Sequence, residues 1–195
     1  EAINQVRNEP DWYRLKKRSL TPELRLTYDR EHSDIVMALK ERDPELARFF
    51  GTLADEEVNH HRLAEADLAS FGRTPGAEPP PSVRAFRAFW GAAVPERELV
   101  LLGALFALEG VASYLGDDVR PALQRLGLQP GNARFVLVHL QADEEHGAGC
   151  RAHALRRVEH GWASLLAGAR GAATHWVAMH RCLVDDAELA SRGNA

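Results

Sequence analysis

The chain has 195 residues, of which 45% are hydrophobic and 27% charged, an ordinary composition for a folded domain with a substantial core. Its net charge of −4, with dispersed Lys and Arg, argues against a nucleic-acid surface, and two cysteines exclude a disulfide scaffold or a zinc ribbon. No signal peptide is recognisable, and the apolar run 99–115 contains Glu109, so we expect no membrane span. These features predict a soluble, cytoplasmic protein, and they are compatible with a homodimer.

Apolar residues recur at helical spacing through most of the chain, and no run alternates as a strand would. Asp43-Pro44-Glu45 supplies a cap, a proline at the first position and an acidic first turn for a helix that runs to about Phe71. The Pro- and Gly-rich segment 72–82 is predicted to be a loop. Pro121 is expected to kink or split its helix. Further helices are predicted at about 20–41, 83–93, 96–126, 132–160 and 162–190. The predicted fold is an all-α helical bundle that forms a single domain over residues 1–195.

The segment FVLVHLQADEEHGAGC, residues 135–150, places ligand-type side chains on the apolar face of a predicted helix. At about 100° per residue, His139, Asp143 and His146 fall within roughly 60° of one another. An unpaired charge on an apolar face is costly, so this pattern favours a metal site over a solvated face or a core histidine. Cys150 shares the stripe about a turn further on, and we interpret it as a packing residue.

Two earlier predicted helices offer donors of the same kind. On the helix that begins at Pro44, Glu57 and His60 lie roughly 40° and 20° from the centre of the apolar stripe, while Glu56 and His61 lie further out and are reserve candidates. Glu109 interrupts the apolar run LLGALFALEGVASYL, where a carboxylate is expected to be neutral, paired or bound to a metal.

Three carboxylates and three imidazoles are therefore candidate metal ligands: Glu57, His60, Glu109, His139, Asp143 and His146. Carboxylate oxygens together with imidazole nitrogens suit iron or manganese. Helical bundles use paired Glu-x-x-His elements to hold di-iron centres, and six donors exceed what one ion needs. The predicted cofactor is a pair of Fe(II) ions, with manganese as the alternative metal.

The pattern resembles the heme-oxygenase-like diiron oxidases, bacterial helical enzymes that bind two irons rather than haem. The resemblance rests on His139-x-x-x-Asp143-x-x-His146 on a late helix, on the isolated Glu109 one helix earlier, and on an early Glu and His. It covers most of residues 20–180. Many members separate the early Glu and His by six residues, whereas this chain has two or three between them. Which of the adjacent acids and histidines binds metal therefore stays open.

The resemblance implies an O2-dependent oxidoreductase in which two ferrous ions activate dioxygen and oxidise a small organic substrate. Outcomes in similar enzymes include C–H abstraction with carbon–carbon cleavage, alkene formation from acids, and N-oxygenation of amines. No catalytic residue beyond the metal ligands is assigned by the resemblance.

Other classes fit parts of the sequence. A ferritin-like four-helix bundle would add Glu31 to the later carboxylates and histidines, although His139 and the long region after residue 160 favour the heme-oxygenase-like fold. A non-enzymatic helical binding module would leave the same polar side chains in solvent, and a histidine in this fold could instead bind haem. Metal analysis and an absorption spectrum separate these alternatives.

Overall fold

The computed structural model describes residues 39, 42–57, 60–74, 78–93 and 97–192. These residues form six α-helices and no β-strand, so the predicted all-α fold is confirmed. The helices are α1 (Pro44–Glu56), α2 (His60–Ser70), α3 (Pro81–Ala93), α4 (Glu98–Glu109), α5 (Val111–Arg125) and α6 (Arg134–Arg192). Nearly all of the helix predicted at 20–41 lies outside the described residues. The chain divides into two compact units, Glu1–Ala66 and Asp67–Ala195, and the single-domain organisation stays a prediction.

The start of α1 follows the predicted capping pattern. The Asp43 carboxylate accepts a hydrogen bond from the Leu46 N–H at 3.0 Å, and Pro44 occupies the first turn, where its missing N–H costs nothing. The expected continuous helix to Phe71 is wrong, because α1 ends at Glu56. The Glu57 N–H donates to the carbonyl oxygens of both Leu53 and Asp55. The His60 N–H donates to the Glu57 carbonyl at 3.3 Å. A tight turn of this kind interrupts the helical ladder before α2 begins.

The end of α2 coincides with the predicted stop at Gly72, which has φ +66°. The Arg73 N–H donates to the Leu68 carbonyl and the Gly72 N–H to the Ala69 carbonyl, each at 3.0 Å, which forms a Schellman motif. The predicted loop 72–82 is shorter than expected, since α3 already begins at Pro81. Proline suits the first position of a helix, so the last proline of the run starts α3.

The helix predicted at 96–126 is divided, but at Gly110 and not at Pro121. Pro121 lies inside α5, and α4 ends at Glu109. At Gly110 a Cβ atom would lie 2.8 Å from the Phe106 carbonyl oxygen, closer than a side chain tolerates without a shift. The tight backbone at the junction therefore favours glycine, and Gly110 separates Glu109, the last residue of α4, from the start of α5 at Val111.

The two helices predicted at 132–160 and 162–190 form one helix, α6, of 59 residues. Gly147 lies beside the Glu109 backbone, whereas Ala173 lines a cavity of about 200 Å³ together with Ala107 and Leu108. A straight helix would separate Gly147 from Ala173 by about 39 Å, yet both lie near the end of α4. Therefore α6 bends back on itself, and both of its segments lie against α4.

The core of the Asp67–Ala195 unit is centred on α4, whose residues between Glu98 at its start and Glu109 at its end are all apolar. Leu102 and Ala104 are fully buried, and Gly103 is so close to the Leu165 backbone that an added Cβ atom would collide with it. A helix that is apolar all round must be enclosed, and the two segments of α6 supply most of that cover. Glu109, at the end of this helix, is half-buried at the edge of that core.

Among the residues that the structure describes, one segment, Glu98–Leu115, meets the length and composition of a membrane span, with a mean hydropathy of 1.6 over 18 residues. It comprises α4 and the beginning of α5. The central helix of a folded core meets the same test, because the test counts apolar residues and not their surroundings.

Candidate metal centre

Three of the predicted ligands meet where the end of α4 contacts α6. One donor atom each from Glu109, Asp143 and His146 lies within 4.8 Å of the others. The Nδ1 atom of His146 is 3.2 Å from Oε2 of Glu109. Two donors on opposite sides of a small divalent ion, with bonds of about 2.1 Å, are about 4.2 Å apart. The cluster is therefore close to the size that one ion needs.

The electrostatics of this cluster favour a cation. Only 14% of the Glu109 side chain and 7% of the His146 side chain are exposed. Glu109 is also the last residue of α4, where the helix dipole is negative, and the last turn carries no basic residue. A second carboxylate, Asp143, adds further negative charge at the same place. A protonated imidazole or a divalent metal ion would offset this unfavourable charge.

The thiol of Cys150 lies one turn after His146 and is completely buried. The pKa of this thiol is raised from its ordinary 9.0 to about 12. Burial is the larger cause, and the negative charge of the nearby Glu109 is the smaller one. The Cys150 thiol, one turn from His146, is therefore neutral at physiological pH in the metal-free protein. This agrees with the interpretation of Cys150 as a packing residue, and it leaves oxygen and nitrogen donors as the principal ligands.

The sequence reasoning missed two glycines that allow the cluster to form. A Cβ atom on Gly147 would lie 3.1 Å from the Glu109 carbonyl oxygen and 3.5 Å from the Gly110 nitrogen. The backbones of α4 and α6 therefore approach each other closely beside the ligands. The signal was present in the sequence, because Glu109 and His146 are each followed directly by glycine.

In the Glu1–Ala66 unit, the predicted Glu57-x-x-His60 pair is in contact. The Nδ1 atom of His60 is 2.8 Å from Oε2 of Glu57, and 17% and 34% of the two side chains are exposed. When Nδ1 carries the proton and donates a hydrogen bond to the Glu57 carboxylate, Nε2 keeps the lone pair that can bind a metal. The reserve candidates Glu56 and His61 are exposed. Glu31, the other reserve candidate, lies outside the described residues.

The remaining predicted ligand, His139, lies in the second turn of α6 and is not a member of the Glu109, Asp143 and His146 cluster. Its Nδ1–H donates to the Phe135 carbonyl at 2.7 Å, and the two rings are 4.1 Å apart between centroids. Since a carbonyl oxygen only accepts, the neutral imidazole carries its proton on Nδ1 and its lone pair on Nε2. The sequence reasoning also missed Asp67, whose carboxylate holds the N–H of Phe135 at 2.8 Å.

Comparison with known proteins identifies the family of the chain. Residues 50–177 match the model of a family described as iron-containing redox enzymes. The chain belongs to this family, since the match spans most of its length and includes all six predicted ligands. Neither the curated proteins nor the solved structures contain a significant match. The heme-oxygenase-like resemblance is thereby confirmed, and the helical architecture agrees with it.

Proposed function

We propose that the protein uses two ferrous ions to activate dioxygen and to oxidise a small organic substrate. Membership of a family of iron-containing redox enzymes supports the metal and the class of reaction. The observation that carries the proposal is the cluster of Glu109, Asp143 and His146, which assembles from two helices. Two hard carboxylates and an imidazole are donors that suit Fe(II), and manganese is the competing metal.

The first ion of this proposal is held by the cluster itself. Glu109 and Asp143 would supply oxygen and His146 nitrogen, and three protein donors leave further coordination positions for small molecules. When bound, the two ferrous ions supply the electrons with which dioxygen is reduced. The protein's part is to fix the donors and to limit the access of water, because exclusion of water strengthens every charge interaction at the site. The burial of His146 and Cys150 serves that purpose.

The second ion rests on the sequence, in which Glu57, His60 and His139 are the predicted ligands that remain. In the structure, each of the two histidines has a hydrogen bond that orients its ring. His60 and His139 both direct Nδ1 at an oxygen atom, which leaves Nε2 as the metal-binding nitrogen in the neutral ring. Histidine ligands in metalloproteins are typically oriented by a hydrogen bond of this kind.

An anaerobic titration with Fe(II) tests the proposal, followed by addition of oxygen and measurement of its consumption. We expect about two ions per chain and rapid oxygen uptake. Glu109→Ala should lose one ion, whereas Glu144→Ala, which removes an exposed carboxylate from the same helix as Asp143, should keep both.

The stoichiometry separates the possible results. No bound iron and no oxygen uptake would contradict the proposal. One ion with retained oxygen uptake would keep the iron redox chemistry and overturn its diiron form. Mn(II) that binds more tightly than Fe(II) under the same conditions would assign the site to manganese.

A further inference from the structure

The first turn of α6 is held by a residue that is distant in sequence. Asp67 lies on α2, and only 8% of it is exposed. Its Oδ2 atom accepts a hydrogen bond from the Phe135 N–H at 2.8 Å, and its Oδ1 atom is 3.8 Å from Nε of Arg134. The first N–H groups of a helix have no partner within the helix, and a negative charge is favourable there. Asp67 therefore caps α6 across 68 positions of the chain.

The residue that Asp67 holds is also the residue that orients His139. The Phe135 carbonyl accepts the Nδ1–H of His139 at 2.7 Å, and the Phe135 ring packs against the imidazole. The main chain of Phe135 thus connects the Asp67 carboxylate to the His139 ring. If the first turn frays, this carbonyl loses its fixed position, and the imidazole is free to exchange its proton between Nδ1 and Nε2.

We infer that Asp67 is a positioning residue for His139: through Phe135 it fixes the imidazole in the tautomer whose Nε2 binds metal. The role of Nε2 as a ligand rests on the proposed function, whereas the tautomer itself does not. Asp67 is not one of the candidate metal ligands. It acts on the ring by holding the helical turn that the ring bonds to.

The tautomer is measured first, in metal-free protein with ¹⁵N-labelled histidine. NMR spectra are recorded at about pH 8.5, well above the ordinary imidazole pKa of about 6.5. In the wild type we expect His139 in the Nδ1–H form. Asp67→Ala should show a substantial fraction of the Nε2–H form, and Asp67→Asn should retain the Nδ1–H form, because the amide oxygen still accepts the Phe135 N–H. Glu65→Ala, which removes an exposed carboxylate from the same helix, is the matched control and should leave His139 unchanged.

Metal binding is the second measurement. For Asp67→Ala we expect about tenfold weaker binding of one Fe(II) equivalent, in the range that loss of an outer partner produces, and an unchanged second equivalent. Asp67→Asn and Glu65→Ala should bind both ions as the wild type does. If Asp67→Ala does not fold, Asp67→Leu replaces it in both measurements, since leucine has nearly the shape of asparagine and no acceptor.

Two results would overturn the inference. A wild-type His139 tautomer in the Ala or Leu variant would show that Asp67 only stabilises the helix. Equal losses in Asp67→Asn and Asp67→Ala would show that the charge, and not the hydrogen bond to Phe135, is what matters. Failure of every chain to bind iron would contradict the proposed function, and the tautomer measurement would still decide the role of Asp67.

Discussion

The backbone of Gly147 lies against the carbonyl of Glu109, so that a Cβ atom on Gly147 would be 3.1 Å from that oxygen. This contact joins the end of α4 to α6 immediately beside the candidate metal ligands. A larger residue would require the two backbones to move apart by a few tenths of an ångström. The distance between the Glu109 and His146 side chains therefore depends on a glycine that binds nothing itself.

Gly147→Ala should weaken metal binding more than it changes stability. Alanine raises the helix propensity by up to about 1 kcal/mol, which offsets the cost of the tight contact, while the displaced ligands should bind Fe(II) about tenfold more weakly. Isothermal titration under anaerobic conditions measures the affinity, and urea denaturation measures the free energy of unfolding. Gly51→Ala is the control, because nothing lies within 4 Å of its added Cβ atom. It should stabilise the protein and leave the affinity unchanged. Wild-type affinity in Gly147→Ala would show that the close contact is not needed by the ligands.

Glu109→Ala should abolish activity and yet preserve or raise the stability of the metal-free protein. The mutation removes a negative charge, 14% exposed, from the negative end of α4, an effect of about 0.3–1 kcal/mol. Thermal denaturation in the presence of a chelator measures this, with Glu144→Ala as the control for loss of a carboxylate. A variant that unfolds in metal-free buffer would show that the contact between Glu109 and His146 is a structural ion pair.

His139→Ala should reduce the iron content from two ions to about one, since removal of a ligand leaves its ion under-coordinated. Glu31→Ala should retain both ions, because the heme-oxygenase-like ligand set does not include Glu31. Elemental analysis of the two purified variants measures the difference. Iron loss in Glu31→Ala together with retention in His139→Ala would instead support the ferritin-like ligand set.

Cys150 should resist alkylation in the folded, metal-free protein at pH 8–9. The pKa of its thiol is about 12 in the folded protein, compared with an ordinary value of 9.0, so the folded thiol stays protonated at pH 8–9. The half-buried Cys182 provides the internal comparison for labelling with iodoacetamide, read by mass spectrometry. Labelling of Cys150 at the rate of Cys182 would show that the site opens readily.

The same pKa shift predicts how stability depends on pH. The raised folded-state pKa contributes stability that is fully present below pH 9 and is lost as the pH rises from 9 towards 12. At pH 10 the loss relative to neutral pH is roughly 1.4 kcal/mol. Urea denaturation of the wild type and of Cys150→Ala at pH 8 and pH 10 measures it, since the variant should lack this part of the pH dependence. Equal pH dependence in both proteins would contradict the assignment to Cys150.

Local signals in the sequence determined much of the fold. The Asp43 cap, the Pro44 start and the Gly72 stop each act within a few residues, and the structure has them where the pattern predicts them. The ligand-type residues were also recognisable, because a charged group within an apolar helical stripe conflicts with burial unless it has a partner. The family match over residues 50–177 supports iron as the metal of this family.

Only the tertiary structure decided which distant side chains meet. The bend of α6, the close approach of Gly147 to Glu109 and the cap of α6 by Asp67 all involve contacts between residues far apart in the chain. Helical periodicity gives the direction of a side chain around its own axis, but it carries no information on the distance between two axes. The distance between two helix axes is set where their backbones can approach closely, as at Gly147 and Glu109. For this reason the sequence indicated the candidate donors but not which of them lie together.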